Sequence, residues 1–362
     1  MTDRRSFLAG ALAASLSPRV GWADAGSPAF LSAAQDRDGS QTLVGLDAQG
    51  AERFRLPLPE RGHAAAAHPI RPEATAFARR PGTFALVIDC REGRVTAVLD
   101  APEGRHFYGH GAYSADGRYM YTPENDYDAA RGVIGVWDTE AGYLRVGEFD
   151  SHGIGPHDIK LMPDGKSFVI ANGGIETHPD SGRAKLNIPF MEPNLAYLSA
   201  EGTLLESVAP PADWHMNSIR HLALGPGGTV AFAMQWEGPE AEAPPLLGLH
   251  RRGEAPVWLD APGAEHAAMQ GYAGSVAISQ DGAEAAISSP RGGRVHVFDI
   301  AGARFAGAIE ALDVCGLAPA AGSGFVATTG TGDVLGLQGL RPVWTARHGR
   351  AFDNHLVTVG AA

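Results

Sequence analysis

Five histidines recur at matching places in a repeated phrase of this 362-residue sequence, and imidazoles so placed can do metal chemistry. The phrases are Gly62-His63-Ala64-Ala65-Ala66, Gly109-His110-Gly111-Ala112-Tyr113, Pro156-His157-Asp158-Ile159-Lys160, Arg220-His221-Leu222-Ala223-Leu224, Gly274-Ser275-Val276-Ala277-Ile278, Val314-Cys315-Gly316-Leu317-Ala318 and Asn354-His355-Leu356-Val357-Thr358. Their lead residues, His63, His110, His157, His221, Ser275, Cys315 and His355, are 47, 47, 64, 54, 40 and 40 residues apart. Neutral imidazole and thiolate are transition-metal ligands, so five imidazoles and a thiol brought to one point would hold an ion such as iron or copper. Singly, a His at a strand start is more often a hydrogen-bonding tie, and a lone Cys is more often a small core residue. Recurrence at one repeat position, while the flanking residues vary through Gly, Pro, Arg and Asn, is what favours the metal site.

The spacing also names the elements that must position these residues. Repeats of roughly 40–50 residues, each a run of short apolar strands, are the length of a four-stranded propeller blade. The turn after each lead strand supports the register: Gly117, Gly165, Gly228, Gly282 and Gly322 follow their lead residues by seven or eight positions, and Asp116, Asp164 and Asp281 precede three of them. Asp-Gly pairs suit tight hairpins because they tolerate positive φ. The last phrase leaves no room for a full blade after it, whereas Phe30–Ala34, Thr42–Asp47 and Arg53–Leu58 are three strands without a lead strand. The expectation is an all-β fold over residues 26–362: one seven-bladed β-propeller, its ring closed by one C-terminal strand joining three N-terminal strands. Six or eight blades, or two separate β domains, are the competing arrangements. Innermost strands line a propeller channel, so the lead residues should ring one mouth.

Composition agrees with that reading. The 47 Gly and 25 Pro are about a fifth of the chain, without the strict period of collagen, as many tight turns require. A net charge of −12 with only three lysines, Lys160, Lys166 and Lys185, argues against nucleic-acid binding or an anionic membrane surface. The N-terminus reads Asp3-Arg4-Arg5-Ser6-Phe7-Leu8, then an apolar run to Leu16 and a small-x-small site at Ala23-Asp24-Ala25. This pattern predicts a twin-arginine signal peptide over residues 1–25 and a periplasmic mature protein. The apolar run is too short for a permanent span. Cys90 and Cys315 have no positional relationship that points to a disulfide.

Other residues map to the same face as the lead ring. His106, His152, His215, His266 and His348 fall in segments between blades, and His178 in a long loop of the third blade, which places eleven of the fourteen His on one face. The longest insertions also lie there: Glu124–Asp128, Gly173–Asn194, and Gln235-Trp236-Glu237 continuing through Gly238–Pro245. Long loops on one face of a repeat scaffold commonly mark its binding face. Glu124, Asp126 and Glu237 would offer carboxylates to a hard ion, whereas Arg79, Arg80, Arg220 and Arg291 would clamp an anion. Ser275, Asn354 and His178 complete the residues expected around the ligand set.

Several longer phrases together resemble a known family. They are Tyr108-Gly109-His110-Gly111, Pro123-Glu124-Asn125-Asp126, Gly155-Pro156-His157-Asp158, Ala171-Asn172-Gly173-Gly174-Ile175 with Thr177-His178-Pro179-Asp180, Ser218-Ile219-Arg220-His221, Ser289-Pro290-Arg291-Gly292 and Asp353-Asn354-His355. The sequence resembles the uncharacterised family of twin-arginine-exported periplasmic seven-bladed propellers often encoded beside imelysin-type, iron-regulated lipoproteins. The resemblance implies a setting in periplasmic iron acquisition or handling, with an imelysin-type or other iron-uptake protein as partner, and transfers no catalytic residue. By fold analogy alone, nitrous oxide reductase holds a copper–sulfide cluster with a His crown at a propeller mouth, but two of seven lead positions here lack His, so that activity is not carried over. Three functions remain open: a metal-binding propeller, a metal-dependent oxidoreductase or lactonase-like hydrolase on the same ring, and a docking scaffold without a metal. A lactonase-like site needs an acidic ion cage, and no lead position is Asp or Glu.

Overall fold

Short alternating strands closed by tight turns build seven antiparallel sheets in the computed structural model, which describes residues 20–79 and 83–360. Blade I comprises Gly62–Ala67, Glu73–Ala78, Ala85–Asp89 and Arg94–Leu99. Blade II has a split inner strand, Arg105–Phe107 with Ala112–Tyr113, followed by Tyr119–Asp126, Arg131–Asp138 and Leu144–Asp150. Blades III to VI start at Pro156–Leu161, Asn217–Leu224, Ser275–Ile278 and Val314–Pro319. Blade VII pairs Phe30–Asp36, Gln41–Leu46 and Glu52–Leu58 with Arg350–Phe352 and Val357–Thr358. The ring is therefore clasped as expected, by one C-terminal strand in two segments against three N-terminal ones.

The apolar residues form no single central core. Seven buried clusters each lie between two neighbouring blades; Leu31, Leu43, Ala65 and Ile88 join blades VII and I, and Val295, Val297, Phe325 and Leu335 join blades V and VI. Packing both faces of every blade against its neighbours leaves the axis to the inner strands' own side chains. Polar residues can converge there without displacing a hydrophobic layer. The five turn glycines marked by the sequence all have left-handed φ, from +66° to +82°.

Three expectations differ or lie elsewhere. Glu124–Asp128 is not a loop insertion, because the second strand of blade II continues to Asp126 and pairs in register with Arg131–Asp138. Pro123 lies within that strand, opposite Ile134, and its carbonyl accepts from the Tyr108 amide at 3.0 Å. Residues 3–16 of the expected export signal, and Arg80, lie outside the described residues. Within the expected signal, Trp22–Ala25 forms a short 3-10 turn whose Ala25 is buried, and Trp22 Nε1 donates to the His68 carbonyl at 2.8 Å.

Candidate metal centre

The inner strands lose their regular pairing where the lead residues stand. Blade I pairs Gly62 with Ala78 and next Ala65 with Ala76, leaving His63 and Ala64 opposite one residue. His157 is the extra residue between Pro156 and Asp158, and Arg220 between Ile219 and His221. His110 and His355 lie in the gaps of the two split strands, and Cys315 in the irregular stretch between Val314 and Leu317. Only Ser275 sits in an unbroken ladder. Bulges bend a strand and re-aim its side chains, and they recur beside functional sites.

The bulges bring all five histidines together. The His110 ring is the hub, with centroids 4.9, 5.0, 5.8 and 4.6 Å from those of His63, His157, His221 and His355. Two triads share it: one ligand nitrogen each from His63, His110 and His355, and one each from His110, His157 and His221, lie within 4.8 Å of one another. The contact between His63 Nε2 and His355 Nε2 is 3.3 Å. Zinc-type tetrahedral coordination at about 2.0–2.1 Å per nitrogen separates ligand nitrogens by about 3.3 Å, so one edge already has that length.

Gly109 makes the close approach. Its φ is +97°, and a Cβ there would fall 2.6 Å from His63 Cδ2 and 3.3 Å from the Ala78 carbonyl oxygen. A side chain at this position would push the His63 and His110 rings apart.

Electrostatics favour ligand-competent imidazoles. Burial, reinforced by the neighbouring rings and, for His157 and His221, by Arg220, holds His110, His157, His221 and His355 well below the usual histidine range. They are therefore neutral at neutral pH, with nitrogen lone pairs available. Both ring nitrogens of His110 and the Nδ1 atoms of His157 and His221 are buried without a protein partner at hydrogen-bonding geometry. Buried orphan nitrogens in such number are costly in a bare protein and are what an ion would satisfy. Asp353 stands behind His63, its Oδ1 3.7 Å from Nδ1, and receives Arg61 at 2.7 Å and Arg79 at 2.9 Å. Burial would raise that carboxyl, but His63, Arg79 and Arg61 outweigh it and hold the group well below the usual carboxylate range. A carboxylate backing a ligand His fixes the ring and increases its basicity.

The remaining sequence candidates take other places. The Cys315 thiol, pushed up to about 12 by burial, donates to the Asp313 carbonyl at 3.2 Å and belongs to neither triad. Cys90 is also a free, buried thiol. Ser275 Oγ accepts from the Leu317 amide and ties blade V to blade VI. Glu124 is buried in the body of blade II, held by Arg145 at 2.6 and 3.1 Å, and Asp126 pairs with Arg131 at 3.0 Å. Neither carboxylate reaches the His ring, because the strand that carries them points them to arginines of their own blade. Glu237 pairs with Lys185, and His178 reaches Asp128. Arg291 lies over the Tyr272 ring at 4.2 Å. The outer His bond locally: His152 to the Gly202 carbonyl and His348 to the Gly50 carbonyl are equivalent ties to the next blade, and His266 meets Asp260.

A cavity of about 160 Å³ opens on the His ring. His63, His157, His221, Arg79, Arg220 and Asn354 line it, with Arg183 and Lys185 from the long loop of blade III. Sequence reading missed Asp353, Tyr108 and Tyr272 here; the place of Asp353 two residues before His355, and of Tyr108 two before His110, was the available signal.

Comparison with known proteins adds the fold and the family. Hydrazine synthase of Kuenenia stuttgartiensis is similar in structure, with a TM-score of 0.59 and 16% identity over 83% of this chain and 93% of that one. At that identity the likeness concerns the fold. A comparison with curated proteins finds no match. The family model described as "Protein of unknown function (DUF1513)" matches residues 56–359, and the chain belongs to that family.

Proposed function

We propose that this propeller is a periplasmic transition-metal-binding protein whose ion is held at the channel mouth by imidazoles from His63, His110, His157, His221 and His355. The observation that carries the reading is the convergence of five imidazoles in two triads sharing His110, with buried ring nitrogens of His63, His110, His157 and His221 that no protein group satisfies. Asp353 orients His63, and the bulges fix the rest. The donor set favours copper among the expected ions, since imidazole-rich sites follow the Irving–Williams order and Glu124 and Asp126, the expected hard ligands, are committed to arginines. Iron remains the metal implied by the resemblance, in a role beside an iron-uptake protein. The Arg4-Arg5 leader supports export. A bound ion would supply Lewis acidity or one-electron chemistry, while the protein's part is to bind it and keep its ligands deprotonated.

Metal analysis of protein isolated from the periplasm tests this. Near-stoichiometric copper or iron is expected, and its loss in a variant with His110, His157 and His221 changed to Ala. Metal-free native protein that takes up neither ion on titration would overturn the reading.

A further inference from the structure

The cavity above the His ring has a charge opposite to that of the chain. The sequence carries −12 overall, yet the cavity walls present Arg79, Arg183, Lys185 and Arg220, and no Asp or Glu lines it among the described residues. Two carboxylates that do not line the cavity, Asp353 and Glu237, pair with these cations. Asp353 holds Arg79 together with Arg61, and Glu237 holds Lys185 while lying 4.0 Å from Arg220. Such pairing fixes the positions of Arg79 and Lys185 at the cavity wall.

Arg220 carries most of the argument. It is the bulge residue next to His221, so the irregularity that delivers an imidazole also delivers a guanidinium, whose side chain is only 15% exposed. Neutral donors complete the lining, with Tyr108, Thr177, Gln235, Tyr272 and Asn354 around the same space. Three ring members, His63, His157 and His221, form its floor. Anything bound there touches both the cations and the proposed metal. Cofactor and drug-sized sites run about 300–1,000 Å³, so a cavity of about 160 Å³ excludes a haem-sized occupant and fits a few heavy atoms.

We infer that this cavity is a receptor for a small, multiply charged oxyanion that is seated on the arginines and coordinates the ion held by the His ring. The inference rests on the metal reading given above. It makes the bound species a metal with an anionic chelator of the dicarboxylate or phosphate class, rather than the naked ion. Arg220 and Arg183 recognise the anion's oxygens, Lys185 adds charge from the loop, and His63, His157 and His221 face the ion from below.

The test uses the full chain loaded with Cu²⁺ and titrated calorimetrically with oxalate, with inorganic phosphate and with nitrate as the singly charged control. Oxalate or phosphate should bind, nitrate should not, and the anion that binds identifies the class. Arg220→Gln and, because that residue is packed between blades, the exposed Lys185→Gln should each weaken binding about tenfold, the loss expected for a charge-assisted hydrogen bond. Copper content should be unchanged in Lys185→Gln. Equal binding in wild type and both variants, or no binding at millimolar anion, overturns the receptor. Failure of the metal reading looks different: a chain that takes up no copper yet binds oxalate with the same arginine and lysine dependence keeps the anion site and loses the ion.

Discussion

His355 Nε2 lies 3.3 Å from His63 Nε2, although 292 residues separate them in sequence. One belongs to the strand that closes the ring and the other to the first blade after the closure. Replacing His355 by Ala removes one corner of a triad and leaves the second triad intact. Metal affinity should drop by about tenfold or more, at about 1.4 kcal/mol per decade, while the other triad retains measurable binding. A competition titration against a chromophoric chelator reads this, and undiminished affinity would remove His355 from the ligand set.

Acid should weaken the fold well before carboxylates titrate. Burial holds His68 and His296 down to about 4 and the four cluster imidazoles well below 6.5. His68 Nδ1 accepts the amides of Ile70 and Arg71, at 3.1 and 2.9 Å, which leaves no room for a proton there. A depressed folded pKa means the unfolded chain takes up protons first. Stability is therefore full above about pH 6.5 and is lost as pH falls below it, by up to about 1.4 kcal/mol per pH unit for each such His. His266, raised chiefly by Asp260, works in the opposite sense. The apo-protein's melting temperature should fall steeply between pH 7 and pH 5, and added copper should offset the fall at the upper end. A flat profile over that range would contradict the buried, neutral assignment.

Gly109→Ala should damage the centre from outside the ligand set. Left-handed φ in a non-glycine residue costs about 1–3 kcal/mol, and the new methyl meets the His63 ring at 2.6 Å. Denaturant unfolding should show a loss in that range, and metal affinity should fall with it. Stability loss without any change in affinity would mean that the His63 position is irrelevant to binding.

Arg145→Met separates a structural carboxylate from a ligand. Glu124 is fully buried and its main partner is Arg145, so breaking the pair strands a charge at a cost of about 3–5 kcal/mol. Thermal stability should fall sharply while copper stoichiometry stays at the wild-type value. Loss of metal with stability retained would return Glu124 to the site.

Blade number, clasp and turn positions were legible because each depends on local chemistry: Asp-Gly turns, strand alternation and a lead phrase. Limited proteolysis should accordingly give no pair of stable fragments, since the described residues pass from blade to blade without a separate linker segment. The ring of five His was legible for the same reason. What the repeat concealed was direction. Glu124 and His110 both look available in sequence, but strand pairing turns one into the blade and an interruption turns the other to the axis. Cys315 shares the lead position, yet its thiol is captured by the Asp313 carbonyl two residues earlier. Asp353 was hidden because its role depends on Arg61, Arg79 and His63, more than 270 residues distant.

The clasp carries a final consequence. The two sides of the seam each contribute to the triad of His63, His110 and His355, so a chain with six folded blades still lacks a corner of it. An ion bound there as proposed would span the seam and act as a latch: it could not be fully held until the circle is complete, and once held it would oppose the circle's reopening. Occupancy would then act as a folding checkpoint, distinguishing finished molecules from those still open.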